Sequence, residues 1–361
     1  MLKPNEIQII RDNQAQSIVQ KSLVEAQLQM IYDNNWFNIW VPKHYGGKAM
    51  DLVSGVSLLE EIAYWDGGLG WTITLCAGAN MFAGFIDPNV AQRVFSNPRI
   101  CLGGSGRVGG KAVCTGDKFL ISGFWRFATG APHLTHFTLN CHVYDGDIQR
   151  KGEGGEPLVY SFFVPKDVVL VHYDWDTFGL ECTASHSFSL DQVEIDSAYS
   201  FQITPEKRYS DDPLYSLPFM PFAEVTLLAN YIGMYRRFLD LVEKYFMEKS
   251  KDPFWEKKFS KQRFKLLDTY QVQLATNRTA MNTQIITLWD KCLTGGLTAD
   301  DPVIGKIAVQ SREIVKDIRE QTVTLFPLVG IAGAQRDNEL NIVFRNIFTA
   351  TQHSLLNVPQ D

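Results

Sequence analysis

The chain has 361 residues, 45% of them apolar, a formal net charge of -6 and six cysteines scattered without CxxC spacing. That length and apolar content suit two or three subdomains with large cores, and the acidic balance without a Lys/Arg-rich run excludes the electrostatic footprint of a nucleic-acid binder. No stretch is long and apolar enough to span a bilayer and the start has no apolar leader, so the expectation is a soluble, unprocessed, cytoplasmic protein with no membrane partner and no disulfide framework.

From residue 5 to about 95 apolar residues recur at helical spacing, as in Ile18, Leu23, Ala26 and Met30 and again in Val56, Leu59 and Ile62. This predicts a helical domain over 1–98, punctuated by the Pro/Gly connection WVPKHYGGKAMD. From residue 100 to about 202 the period becomes two: Phe137, Leu139, Cys141 and Val143 alternate with polar residues, YSFFVP follows, and FSLDQVEI closes the segment. The expectation is a β domain over 99–203, a barrel or sandwich. After PFMPFAEV the helical period returns, with Val225, Leu228, Ile232, Leu239, Val242 and Phe246 on one stripe, and three more long segments follow. Residues 204–361 therefore read as a four-helix bundle, with KDPFWEKKFSKQ as a charged, solvated loop or helix end.

The stretch GFWRFATGAPH, residues 123–133, carries the sharpest chemical signal. Alternation places Phe124, Arg126 and Ala128 on one face of a strand and Trp125, Phe127 and Thr129 on the other, so two aromatic rings and a hydroxyl share a side. A half-buried strand ending in a turn has the same pattern. The run GGSGRVGG, residues 103–110, looks like a dinucleotide fingerprint but precedes strands, and no βαβ unit surrounds it. It reads equally as a flexible hairpin loop. GxxxxGK[ST], HExxH and GxSxG are all missing, and the seven histidines do not pair at ligand spacing, so no metal is expected.

Five stretches, WVPKHYGG, LLEEIAYWDGGLGW, GDKFLISGFWRFATGA, FGLECTASHSFSLDQVEI and LNIVFRNIFTATQH, occur in this order within a helix, β domain and bundle arrangement. Together they resemble the acyl-CoA dehydrogenase superfamily. The resemblance implies a mainly α fold with a central β domain, and a flavin lying along the strand FWRFATG. On that reading Phe127 stacks near the flavin ring, Thr129 meets its polar edge, Ala128 lies between them and Trp125 packs behind. Gly103, Gly104 and Ser105 match the first strand loop, where backbone N–H groups and a hydroxyl meet the pyrimidine edge and glycine permits close approach.

Dehydrogenases of this superfamily take a proton α to a thioester with a carboxylate near the last helix. No carboxylate occurs between Asn346 and Pro359, and His353 or Ser354 occupies the expected place. That ending resembles the flavin-dependent monooxygenase branch, which uses reduced flavin from a separate reductase and passes an oxygen atom to an aromatic ring or heteroatom. His353 suits proton management at neutral pH. Thr129 is the second catalytic candidate, Asn80 a pocket residue, and Glu224, at the start of the first bundle helix, the base of an alternative acyl-CoA dehydrogenase reading. A catalytically silent flavoprotein-like binding module is the third reading. The family's R-x-x-F-G motif, which holds the adenine half of FAD, is replaced by KSKDPFWEKKFSKQ, so FMN or loosely held reduced FAD is expected. The family implies a homotetramer as well, with helices 223–247 and 303–329 as its apolar contact surfaces.

Overall fold

Acidic caps set where three of the N-terminal helices begin. Asp51 accepts from the Ser54 N–H, Asp66 from those of Gly68 and Leu69, and Asp87 from those of Asn89 and Val90, satisfying donors that a helix start leaves unpaired. The structure, a computed structural model, describes residues 1–357. Its first region comprises α1 (Pro4–Gln20), α2 (Glu25–Asp33), α3 (Leu52–Trp65), α4 (Gly67–Asn80) and α5 (Pro88–Phe95). Helix α4 is apolar on nearly every side and buried over most of its length, so it forms the centre of this region. The stripe read through Ile18 and Ala26 does not hold. Lys21 turns left-handed (φ 54°) and separates two helices, and α1 buries Glu6, Ile10, Gln14 and Ser17 instead.

Strands β1 (Leu102–Thr115), β2 (Lys118–Ala128), β3 (His136–Asp145), β4 (Ile148–Gln149), β5 (Val159–Pro165), β6 (Leu170–Val171), β7 (His186–Asp196) and β8 (Ser200–Phe201) form one sheet. Its order is β6-β7-β2-β1-β3-β5-β8, with β4 on β3; β1 and β3 run parallel and the other pairs antiparallel. Two irregularities matter for function. Between Gly104 and Val108, β1 carries four steps against two on β3, so Gly106, Arg107 and Val108 swell outward into solvent. Between Trp125 and Ala128, β2 carries one residue more than β7, a bulge that re-aims Phe127.

After Phe201 the chain returns to helix: α6 (Phe219–Lys249), the single turn α7 (Pro253–Trp255), α8 (Lys261–Thr294), α9 (Pro302–Leu325) and α10 (Glu339–Ala350). The predicted stripe on α6 is buried throughout, and α6 packs against α3, α4, α9 and α10, which makes it the axis of the molecule. Glu60 of α3 pairs with Arg236 and Arg278, and Glu339 of α10 pairs with Arg11 and Arg237, so ion pairs join the first region to the bundle. The segment KDPFWEKKFSKQ is not simply solvated. Trp255 is buried with its ring 5.9 Å from Phe246, which anchors the turn between α6 and α8. No described helix is long and apolar enough to cross a membrane.

Candidate active site

The β2 bulge holds Phe127 at φ +70°, a conformation that costs an aromatic residue energy, and leaves the residue 55% exposed with Trp175 edge-on to its ring at 6.2 Å. Two residues on, Thr129 is buried, and its hydroxyl meets that of Ser185 at 2.8 Å; Ser185 in turn meets Thr183 at 2.8 Å. The segment supplying those partners is itself strained, since Leu180 and Ala184 both have positive φ. A backbone bond from the Gly130 N–H to the Thr183 carbonyl, 2.8 Å, clamps the two segments together. Strain thus collects on both sides of one hydroxyl relay.

Helix α10 fixes that relay from behind. Asn346 Oδ1 accepts from the Leu180 N–H at 2.7 Å, and Arg345 donates to the Phe178 carbonyl at 2.7 Å while pairing with Glu181. None of these roles was assigned from sequence, although Arg345 and Asn346 lie inside the quoted stretch LNIVFRNIFTATQH. The same helix ends at Ala350, and three residues later His353 stands with its ring 5.7 Å from Trp71 of α4, edge-on. Arg107, carried out by the β1 swelling, lies close enough to disfavour a charge on His353. Burial among α4, β1 and the α10 turn is the larger cause, and both push the imidazole below its ordinary value, so His353 is neutral at pH 7. The residue still presents much of its surface to solvent, so it is not a core side chain. Its Nδ1 accepts from the Leu355 N–H at 3.3 Å, which leaves the neutral ring as the Nε2–H tautomer.

Gly103 connects the two halves. A Cβ there would lie 3.0 Å from the Thr129 carbonyl, so the β1 loop carrying Arg107 abuts the strand carrying Phe127. Helix α4 links the two ends, its Trp71 meeting His353 and its Cys76 reaching the Thr129 carbonyl. Close approach at the glycines serves the chain itself: a Cβ on Gly104 would meet the Thr138 carbonyl at 1.8 Å, across the β1–β3 ladder. Ser105 is partly exposed beside them and its hydroxyl accepts from the Arg107 N–H at 3.5 Å.

Four sequence-assigned residues have internal partners. Trp125 is 1% exposed, stacks on Phe188 at 5.3 Å and donates Nε1–H to the Asn140 carbonyl, so it is a core residue, because the bulge breaks the alternation that put it beside Phe127. Asn80 is fully buried, donating to Asn38 Oδ1 and accepting from the Leu102 N–H, each at 2.7 Å; it ties α4 to β1 and has no atom left for a pocket. Glu224 is buried and paired with Arg312 of α9 at 2.8 Å, aimed into the bundle. Ala128 is buried in the ladder opposite His186.

Residues 6–94 match the family model of the acyl-CoA dehydrogenase N-terminal domain. The chain has the acyl-CoA dehydrogenase fold. XiaF from Streptomyces sp., solved in complex with FADH2 and glycerol, superposes on it with a TM-score of 0.86 over 98% of this chain and 90% of that one, at 20% identity. Among curated proteins, a pigment production hydroxylase of Rhodococcus sp. (strain ATCC 21145) is 25% identical over 58% of this chain and 54% of its own length. An indole-3-acetate monooxygenase of Pseudomonas putida is 22% identical over 55% of this chain and 49% of its own. The chain spans about half the length of the curated relatives it matches.

Proposed function

We propose that this chain is a monooxygenase that takes reduced flavin from a separate reductase and inserts one atom of dioxygen into an aromatic or heterocyclic substrate. The observation that carries this reading is His353, neutral and set against Trp71 just past the end of α10, while the alternative base Glu224 is occupied by Arg312. The names of the curated relatives and the FADH2 held by XiaF point the same way. FAD and FMN both suit the reading, and the six unbridged cysteines suit a reducing compartment.

The residues present fit a flavin. An exposed aromatic ring held at positive φ is a platform for a flat ligand, and the hydroxyl relay behind it offers hydrogen bonds to a polar edge. Phe127 would stack, Thr129 would contact the edge, and Ser185 and Thr183 would hold the Thr129 hydroxyl in place. Bound reduced flavin supplies the activation of dioxygen. His353 acts on the substrate side: among the described residues its Nε2–H has no protein acceptor, so it can donate to a substrate oxygen or nitrogen and orient the ring. Burial, and after it Arg107, keep that imidazole neutral, and the Trp71 ring lies edge-on beside it. Self-association, expected for this fold, completes the reading.

Anaerobic titration tests the binding half: reduced FAD or FMN should bind more tightly than the oxidised forms. Oxidised FAD that copurifies stoichiometrically and bleaches with an acyl-CoA overturns the reading. For the chemical half, His353→Ala should still bind reduced flavin and consume oxygen but release hydrogen peroxide, with product formation down about 10²- to 10⁴-fold.

A further inference from the structure

Beside Thr129 three residues distant in sequence converge. Cys76 belongs to α4, Cys101 immediately precedes β1, and His133 lies in the turn between β2 and β3. Both sulfurs and an imidazole nitrogen lie within 4.8 Å of one another. The cysteines are fully buried, and His133 Nε2 is buried with no hydrogen-bond partner among the described residues. An unpaired buried imidazole is costly, and the fold holds it firmly: Phe37 stacks on the ring at 5.6 Å and 11°. Gly130 makes the room. A Cβ there would stand 2.7 Å from His133 Nε2 and 3.1 Å from Cys76 Sγ, and its φ of +80° favours glycine independently.

We propose that Cys76, Cys101 and His133 bind a thiophilic divalent metal ion, with Zn(II) as the matching probe. Thiolate–zinc bonds of about 2.3 Å and imidazole–zinc bonds of about 2.0 Å set ligand–ligand separations of about 3.5 to 3.8 Å in a tetrahedron, so the cluster closes on an ion by shifts of about 1 Å or less. Charge selects the valence. Two thiolates and a neutral imidazole balance a divalent ion, whereas a monovalent ion would leave a net negative charge in a site that excludes water. The Thr129 carbonyl, 3.7 Å from Cys76 Sγ, faces the same space and offers a fourth ligand. The ion would pin α4, β1 and the turn after β2 together, a function separate from flavin binding.

Cobalt(II) titration of the full-length protein, reduced and anaerobic, reads the site directly. One equivalent should produce thiolate-to-cobalt charge-transfer absorption with tetrahedral ligand-field bands, and Zn(II) should bleach both. Cys76→Ser, Cys101→Ser and His133→Asn should each weaken binding by more than about tenfold, and Cys114→Ser should leave it unchanged. A wild-type spectrum without the charge-transfer band overturns the proposal, as does a thiol count two short of six that shows Cys76 and Cys101 joined as a disulfide in the anaerobic protein. The wild-type spectrum decides even if a variant fails to fold. Because flavin titration of the same sample is a separate readout, loss of metal binding is distinguishable from failure of the monooxygenase reading.

Discussion

Arg107 and His353 are separated by most of the chain, yet the charge of one helps set the protonation of the other. If neutral His353 orients the substrate, product formation falls as pH drops through its depressed pKa, so the acid limb lies below the ordinary imidazole value of about 6.5. Arg107→Gln removes one of the two causes and should move the limb upward; an unmoved limb in a coupled product assay counts against the pairing. Glu224→Gln gives the complementary result. It weakens a buried ion pair, so unfolding in urea should show a loss of about 1 to 3 kcal/mol with little change in kcat. Collapse of kcat at unchanged stability would revive the dehydrogenase reading. At this scale the sequence exposed some residues and hid others for a physical reason. Phe127, Thr129 and His353 lie in local stretches with a chemical pattern of their own. The internal partners of Asn80 and Glu224, Asn38 and Arg312, are 42 and 88 residues away and so leave no local sign. The Cys76, Cys101 and His133 cluster was hidden for the same reason, having no local spacing at all.

Among the elements, β2 shows how one side chain dictates glycine on two strands. A Cβ on Gly109, Gly110 or Gly123 would lie 2.4–2.6 Å from a Trp125 ring atom. Gly110→Ala should therefore destabilise by about 1 to 3 kcal/mol, and Trp125→Leu in that background should recover part of the loss, a coupling that urea unfolding of the four variants measures. Strand β3 carries a second consequence. Burial pushes His136, its first residue, down to about 4 against the opposing pull of Asp167. The unfolded chain takes up that proton near pH 6.5 and the folded one does not, so stability is lost as pH falls from about 6.5 toward 4, by roughly 2 to 3 kcal/mol from this residue. His136→Phe should flatten that part of the stability profile; an unchanged profile means that other groups dominate. Element types were legible because periods of two and 3.6 survive in single segments, as Val225 to Phe246 and Phe137 to Val143 show. Bulges were not, since an extra residue in β1 or β2 leaves no trace in composition. Trp125 and Phe127 were placed on one face for that reason.

For the whole molecule the question is which surfaces remain to be covered. Helix α6, expected from its apolarity to form a contact between subunits, is used up inside the protomer by α3, α4, α9 and α10. Its apolar face reads the same in sequence whether the partner is internal or a second copy. The outer bundle helices differ. Helix α8 leaves Val272, Ile286 and Leu293 exposed at 66%, 47% and 54%, and α9 leaves Val309 and Val323 at 60% and 46%. Their spacings are multiples of seven, which keeps each set on one side of its helix, as a helix–helix seam requires. Self-association through α8 and α9 should therefore give a species larger than a monomer at micromolar concentration by light scattering. Val272→Glu combined with Ile286→Glu, both at exposed positions, should reduce that mass while leaving the circular dichroism spectrum intact. A wild-type protein that scatters as a monomer, or a double variant that keeps the full assembly, places the interface elsewhere.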